Sequence, residues 1–300
     1  MFKPGYLNLF QSGELKKRIE KAYQILKSCQ LCPRNCKVNR LEGELGFCRS
    51  GLLPKVSSFS PHFGEEAPLV GRHGSGTIFF TNCNLGCIFC QNYEISHLGK
   101  GEEVTKEELS KMMLHLQSLG CHNINFVTPT HFVPQILAAL ELAVKMGLNV
   151  PLVYNCGGYE AKEVIALLEG IFDIYMPDIK YEDSEVSKKY SKAEDYPQIV
   201  KVAVKEMHRQ VGDLILDGRG IAKKGLLVRH LVLPEGLAGT KGVMQYLARE
   251  VSLNTYVNIM DQYHPCYQAE EYPEIKRPIS RAEYREAVDF ALEEGISRLD

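Results

Sequence analysis

The chain has 300 residues, 45% of them hydrophobic and 24% charged, with a formal net charge of −2. This composition is that of a folded globule with a full core, larger than one average domain but within the range of a single α/β barrel carrying an extension. The charge balance argues against a nucleic-acid partner, which needs a basic surface, and no apolar run approaches the ~20 residues that span a bilayer.

The start, MFKPGYLNLF, lacks the basic and apolar regions of a signal peptide. Of ten cysteines, seven fall in two tight clusters, leaving Cys121, Cys156 and Cys266 scattered. Short gaps of this kind in a large, core-rich chain read as metal ligation in a reducing compartment, which places the protein in the cytoplasm.

Residues 1–70 hold one helix, about Glu14 to Ser28, and then a Gly/Pro/Cys-rich stretch with little periodicity. They read as a small metal-stapled lobe, because a segment of this size lacks the core to stand alone. Residues 71–300 alternate apolar strands with amphipathic helices, the pattern of βα units on a parallel sheet. Gly76 to Asn82 is the first predicted strand. Thr105-Lys-Glu-Glu108 is a capping box opening a helix to about Leu119. His122 to Val127 is a strand and His131 to Met146 its helix. Val150 to Tyr154 and Ile171 to Met176 are further strands, separated by a helix from Tyr159 to Leu168.

Helical material runs from about Asp183 to Val211. The apolar runs Leu214–Leu216 and Gly225–Leu233 flank Asp217-Gly-Arg-Gly220, which predicts a hairpin-like excursion before the fifth barrel strand. Gly239 to Val251 is helical, Thr255 to Met260 is a strand, and the capping box Ser280-Arg-Ala-Glu283 opens a terminal helix. The expected fold is therefore α/β, a partial (β/α)6 TIM-like barrel with the small N-terminal lobe attached.

Chemistry concentrates in Thr81-Asn-Cys-Asn-Leu-Gly-Cys-Ile-Phe-Cys90, where Cys83, Cys87 and Cys90 follow the first strand with the spacing C-x3-C-x2-C. Three soft thiolates this close can wrap one face of an iron–sulfur cube and leave its fourth iron open. In parallel α/β barrels, ligands sit where strands give way to loops. Those positions collect Thr128, Thr130 and His131 after the second strand, and Asn155 and Cys156 after the third. Asp178 and Lys180 follow the fourth, Arg229 and His230 lie in the fifth, and Asn258, Met260 and Gln262 lie in or after the sixth. His62, Glu65 and Glu66, between the two regions, either face the barrel mouth or form a solvated loop.

The cysteine spacing resembles the signature of the radical S-adenosylmethionine (radical SAM) superfamily. The resemblance implies a [4Fe–4S] cluster at Cys83, Cys87 and Cys90 that binds and reductively cleaves S-adenosylmethionine, with Phe89 packing against its adenine. Asp173-Ile-Tyr-Met-Pro-Asp-Ile-Lys180 is similar to the strand ending Met-x-Asp-x-Lys of the activating enzymes of glycyl radical enzymes, such as pyruvate formate-lyase-activating enzyme. That likeness implies that Asp178 and Lys180 lie near the cofactor's aminoacyl group, with Arg229 in the same polar set. Asn155-Cys-Gly-Gly-Tyr159 aligns with that family's Asp-Thr-Asn-Gly-aromatic turn, with Asn155 in place of the acid. The superfamily's Gly-Gly-Glu element is replaced by Val127-Thr-Pro-Thr-His131, so Thr128 and Thr130 are the candidates to take its hydrogen bonds, or else cap the loop.

Cys29, Cys32, Cys36 and Cys48 satisfy the count for a closed zinc site or a second iron–sulfur cluster, and spacing does not separate the two. The expected function is radical abstraction of hydrogen from a protein or peptide, as in an activase, fed by an electron donor such as flavodoxin or ferredoxin. The alternatives are radical modification of a small metabolite, a non-catalytic iron–sulfur electron carrier, and a zinc-stapled nucleic-acid binder. An electron carrier normally saturates its cluster with four ligands, which the barrel cysteines do not supply.

Overall fold

A computed structural model describes residues 2–300. Nine strands form one sheet: β1 (Lys55–His62), β2 (Ser75–Phe80), β3 (Glu102–Glu103), β4 (Ile124–Val127), β5 (Leu152–Cys156), β6 (Ile174–Pro177), β7 (Ile215–Leu216), β8 (Ala222–Leu231) and β9 (Tyr256–Met260). In the order β2, β4, β5, β6, β8 and β9, six strands run parallel, which is the partial barrel expected. The sheet does not close: at one edge β1 pairs antiparallel with β2 and β3 with β1, and at the other β9 pairs with β8 and bridges to Leu299 near the C-terminus. Every residue of β5 and β6 is buried, because helices cover one face and the barrel interior the other.

The helices are α1 (Tyr6–Gln11), α2 (Glu14–Ile25), α3 (Ala67–Val70), α4 (Tyr93–Ser96), α5 (Lys106–Ser118), α6 (Val133–Lys145), α7 (Lys162–Leu167), α8 (Ser184–Ser191), α9 (Tyr196–Val211), α10 (Thr240–Tyr246) and α11 (Arg281–Glu293). Both capping boxes form: Thr105 and Glu108 open α5, and Ser280 and Glu283 open α11. The expected excursion is a hairpin of β7 and β8. Its turn is set by Asp217, whose Oδ1 accepts the N–H of Arg219 at 2.9 Å and of Ile221 at 3.1 Å.

Two elements differ from expectation. β1 falls in the stretch assigned to the N-terminal lobe, yet it hydrogen-bonds along β2 and belongs to the sheet. Its sequence, KVSSFSPH, lacks the apolar run of a central strand because beyond Val56, where β3 stops pairing with it, it lies at the edge, with Ser58 to Ser60 exposed. The short helix α3 then turns under the barrel, where Leu69 packs with Val153, Ile174, Met176 and Leu227. Asn123, just ahead of β4, donates to the Leu69 carbonyl at 3.0 Å, fixing this plug at the N-terminal ends of the strands.

The first 54 residues share the barrel's core. Tyr6, Leu15, Leu26 and Leu31 are fully buried in it, and the Tyr6 hydroxyl donates to the Val150 carbonyl at 2.8 Å. The cysteine-bearing part lies over the C-terminal ends of β4 and β5. There Arg40 reaches the carbonyl of His131 at 2.7 Å, and the Arg34 guanidinium lies 5.2 Å from the Tyr159 ring centroid. No helix among the described residues is long and apolar enough to cross a membrane.

Candidate active site

β2 ends at Phe80 and delivers the cysteine loop to the top of the barrel. Each sulfur of the loop meets a polar neighbour. The Leu85 N–H donates to Cys83 Sγ at 3.3 Å, Ser191 Oγ lies 2.9 Å from Cys87 Sγ, and Ser96 Oγ lies 3.1 Å from Cys90 Sγ. His97 Nε2 donates to the Cys87 carbonyl at 2.9 Å and fixes the loop from outside. Burial pushes the thiols of Cys83 and Cys87 up, and nearby Lys180 opposes this at both. As bare thiols they would stay protonated and inert, whereas a bound metal holds them as thiolates. No three Cys, His, Asp or Glu side chains among the described residues converge as they would on a single ion. Three sulfurs on one loop, each beside a polar group and with a lysine near, fit a centre held by thiolates.

Directly beside the loop, the ends of β6 and β8 bring opposite charges together. Asp178 follows β6 and is bridged in register to Arg229 of β8, which in turn pairs with Asn258 of β9. Arg229 Nε donates to Asp178 Oδ1 at 2.8 Å, Lys180 Nζ donates to Oδ2 at 2.5 Å, and Arg229 Nη2 donates to Asn155 Oδ1 at 2.7 Å. Burial works against the Asp178 carboxylate, but Arg229 and Lys180 outweigh it and hold its pKa below the usual range. Burial likewise opposes the Lys180 ammonium, and Asp178 with Cys87 raises it above the ordinary lysine value. Phe89 is buried edge-on to Tyr263 and Tyr181, with centroids 5.7 and 6.4 Å away.

The two threonines separate. Thr128 has φ of 58° and donates its N–H to the Asn155 carbonyl at 2.8 Å, which keeps it at the strand ends. Thr130 is fully buried, and its hydroxyl donates to Glu160 Oε1 at 2.6 Å, away from the polar set around Asp178. Glu160 also accepts from Tyr154 at 3.0 Å, and burial pushes its pKa up to about 7.

Below Arg229 the barrel carries a second polar layer. Glu66 accepts from Asn258 Nδ2 at 3.0 Å, and Arg229 stands 3.9 Å from both Glu65 and Glu66. Burial, reinforced by Glu66 and opposed by Arg229, pushes Glu65 up to about 7. Asn125, fully buried in β4, sets its amide beside Glu65 and opposes that rise without a hydrogen bond of normal geometry, and Glu66 Oε2 is unpartnered. Sequence reasoning missed Asn125. The signal was a polar residue inside the apolar strand Ile124-Asn-Phe-Val127. His62 stays out of this layer, edge-on to Phe79 at 5.6 Å.

An open parallel barrel with a cysteine loop on its first strand and a buried Asp–Lys–Arg cluster on the strand ends describes a metal-dependent barrel enzyme. Residues 77–221 match the model of the Radical SAM superfamily. The chain is 33% identical over 302 residues to "Uncharacterized protein MJ0674" of Methanocaldococcus jannaschii, covering 96% of this chain and 79% of that protein. It is 25% identical over 291 residues to "Uncharacterized protein MJ0808" of the same organism, covering 89% and 78%. The fold is also that of a radical SAM methyltransferase from Sphaerobacter thermophilus, with a TM-score of 0.51 at 13% identity over 81% of this chain and 76% of that one. The chain belongs to the radical SAM superfamily, whose enzymes cleave S-adenosylmethionine reductively at an iron–sulfur cluster.

Proposed function

We propose that Cys83, Cys87 and Cys90 ligate the [4Fe–4S] cluster and that Phe89, Asn155, Asp178, Lys180 and Arg229 surround S-adenosylmethionine bound to it. When bound, cluster and cofactor together supply a 5′-deoxyadenosyl radical that takes hydrogen from an unactivated C–H bond. The observation that carries this reading is the placement of Asp178 between Lys180 and Arg229 beside the cysteine loop. A lysine already paired on one side can turn its remaining donors to a carboxylate, and Asp178 can hold an amino group. Thr128 contributes at most a hydroxyl at the rim, and Thr130 leaves the set because Glu160 occupies it. The buried Phe89–Tyr181–Tyr263 cluster supplies an aromatic wall that keeps water from the reacting centre.

The substrate we favour is a protein or peptide, in the manner of an activating enzyme. The segment Met176-Pro-Asp-Ile-Lys180, similar to that family's motif, stands at the strand end where the motif would act. A second reading, a small metabolite bearing hydrogen-bond donors, is favoured by the N-terminal lobe lying over the ends of β4 and β5. An electron donor of the flavodoxin or ferredoxin kind would reduce the cluster.

Anaerobic protein mixed with S-adenosylmethionine and dithionite should release 5′-deoxyadenosine, and the C83A/C87A/C90A variant should release none. A glycyl-radical EPR doublet on a partner protein supports the activase. Turnover without a radical on any glycine-loop protein of the host would move the assignment to the metabolite.

A further inference from the structure

Cys29, Cys32, Cys36 and Cys48 line one narrow cavity together with Arg34, Arg40 and His131. None of the four is in a disulfide. The chain is folded tightly around them. Asn35 and Lys37 take φ of 45° and 58°, and the Lys37 N–H returns to the Cys29 carbonyl at 3.0 Å. Gly46 lies so close that a Cβ there would stand 2.8 Å from Cys36 Sγ. The next N–H, of Phe47, donates to that same sulfur at 3.4 Å.

The charges around the cavity are unbalanced. Arg40 is 1% exposed, and its guanidinium donates only to carbonyls: His131 at 2.7 Å and Gly51 at 2.7 and 3.3 Å. Arg34 also spends its donors on carbonyls, those of Asn84 at 2.9 Å, Ser191 at 3.4 Å and Lys192. Glu160, the carboxylate that approaches Cys32, is taken by Thr130 and Tyr154. A buried guanidinium without a counter-ion carries the desolvation penalty of an unpaired buried charge. Four neutral thiols leave Arg40 in that state, whereas four thiolates around a metal centre form a dianion that gives it a counter-charge. His131 adds a second sign of a missing group. Its Nε2 donates to the Thr81 carbonyl at 2.8 Å, so Nδ1 is a bare acceptor, buried and without a partner.

We propose that Cys29, Cys32, Cys36 and Cys48 ligate an iron–sulfur cluster, distinct from the one at the barrel mouth, and that Arg40 is its buried counter-charge. Four thiolates around one zinc ion would carry the same charge, so charge alone does not choose between the two metals. The site has a connection that a redox centre can use. Arg34 donates to the carbonyl of Asn84, next to Cys83, and reaches Ser191, whose Oγ meets Cys87 Sγ. One side chain therefore touches the walls of both cysteine sites. The assignment stands on the lobe's own residues and survives failure of the reading at the barrel mouth.

Full-length protein reconstituted anaerobically should hold about eight irons and eight sulfides, and C83A/C87A/C90A should keep about four of each. Zinc in place of the residual iron in C83A/C87A/C90A, or no metal in that variant when it melts like the wild type, overturns the proposal. The counter-charge is tested separately by EPR-monitored titration. Arg40→Met should shift the lobe cluster to a more negative potential, because a buried positive charge favours the reduced state, and Arg40→Lys should restore it. An unmoved potential in a cluster-loaded Arg40→Met protein would remove that role from Arg40.

Discussion

Arg229 donates from Nε to Oδ1 of Asp178 at 2.8 Å, across the pairing of β8 with β6, at the end of the sheet where the cysteine loop also lies. The contact is mostly shielded from water, with side-chain exposures of 19% and 12%, so it escapes most of the screening that makes surface ion pairs weak. Removing the charge from Asp178 leaves two buried cations facing each other.

Asp178→Asn is therefore expected to destabilise the fold by about 3–5 kcal/mol, the usual cost of breaking a buried pair from one side. The native pKa of Asp178 is depressed, so its contribution is fully present above the unfolded value near 4 and is lost as pH falls through the native value. The gap between wild type and variant should be wide in urea melts at pH 7 and should narrow below about pH 4. A gap independent of pH would mean that shape, and not charge, is what Asp178 supplies.

Glu65 gives the opposite dependence. Burial raises its native pKa to about 7, so between the unfolded value near 4.5 and about pH 7 the folded chain holds a proton that the unfolded chain has released. Its contribution to stability falls as pH rises through that window. Glu65→Gln removes the titration, and the variant should gain on the wild type steadily from pH 5 to pH 7.5. Parallel stability curves for the two proteins would show that Glu65 is ionised throughout.

The parallel strands and the cysteine loop were legible because their signals are local: apolar runs, capping boxes at Thr105 and Ser280, and a fixed cysteine spacing. β1 was not, since beyond Val56 it has only β2 as a partner and can carry exposed serines. Among the candidate ligands, Asp178 and Lys180 could be placed from their position after a strand, and the structure brings them together with Arg229. Thr130 illustrates the limit. Two residues beyond Thr128, it sits in a short 3₁₀ turn that points it at Glu160, and nothing in the local sequence announces a buried carboxylate thirty positions away. The contacts of Asn125 and Glu66 depend on how α3 returns beneath the barrel, a long-range packing event invisible to periodicity.

Gly158 ties the loop after β5 to the Asp178 position. It has φ of 79°, and a Cβ there would stand 2.2 Å from the Asp178 carbonyl and 2.8 Å from Val200. Gly158→Ala combines a left-handed backbone with a backbone clash, so a loss of about 1–3 kcal/mol from overpacking is expected. Because the displaced atom belongs to Asp178, cofactor affinity should fall along with the melting temperature. Gly147, with φ of 98° and open space around it, is the control: Ala there should strain the backbone without touching the cofactor site. Equal effects of the two substitutions on S-adenosylmethionine binding would break the link between Gly158 and Asp178.

Phe89 and Lys180 test the proposed pocket from two sides. Phe89 is wedged between Tyr181 and Tyr263 one residue before Cys90, so Phe89→Ala removes an aromatic wall and leaves the thiolates in place. Truncating a buried phenylalanine costs about 3–5 kcal/mol of stability, and the adenine loses a packing partner as well. Lys180→Ala removes a positive charge that would meet the cofactor carboxylate, a charge-assisted hydrogen bond worth about 1.5–3 kcal/mol. Since 1.4 kcal/mol is roughly a factor of ten, Lys180→Ala should weaken S-adenosylmethionine binding by about 10- to 100-fold in anaerobic calorimetry. Iron and sulfide content should stay at the wild-type level in both variants, which separates cofactor binding from cluster assembly. Lys180→Ala also leaves Asp178 with Arg229 as its remaining cation, so the acid limb of the stability curve should move to higher pH as the carboxylate loses part of its support. Wild-type affinity in both variants would place the cofactor elsewhere on the barrel, whereas lost affinity with intact iron would put it between these two residues.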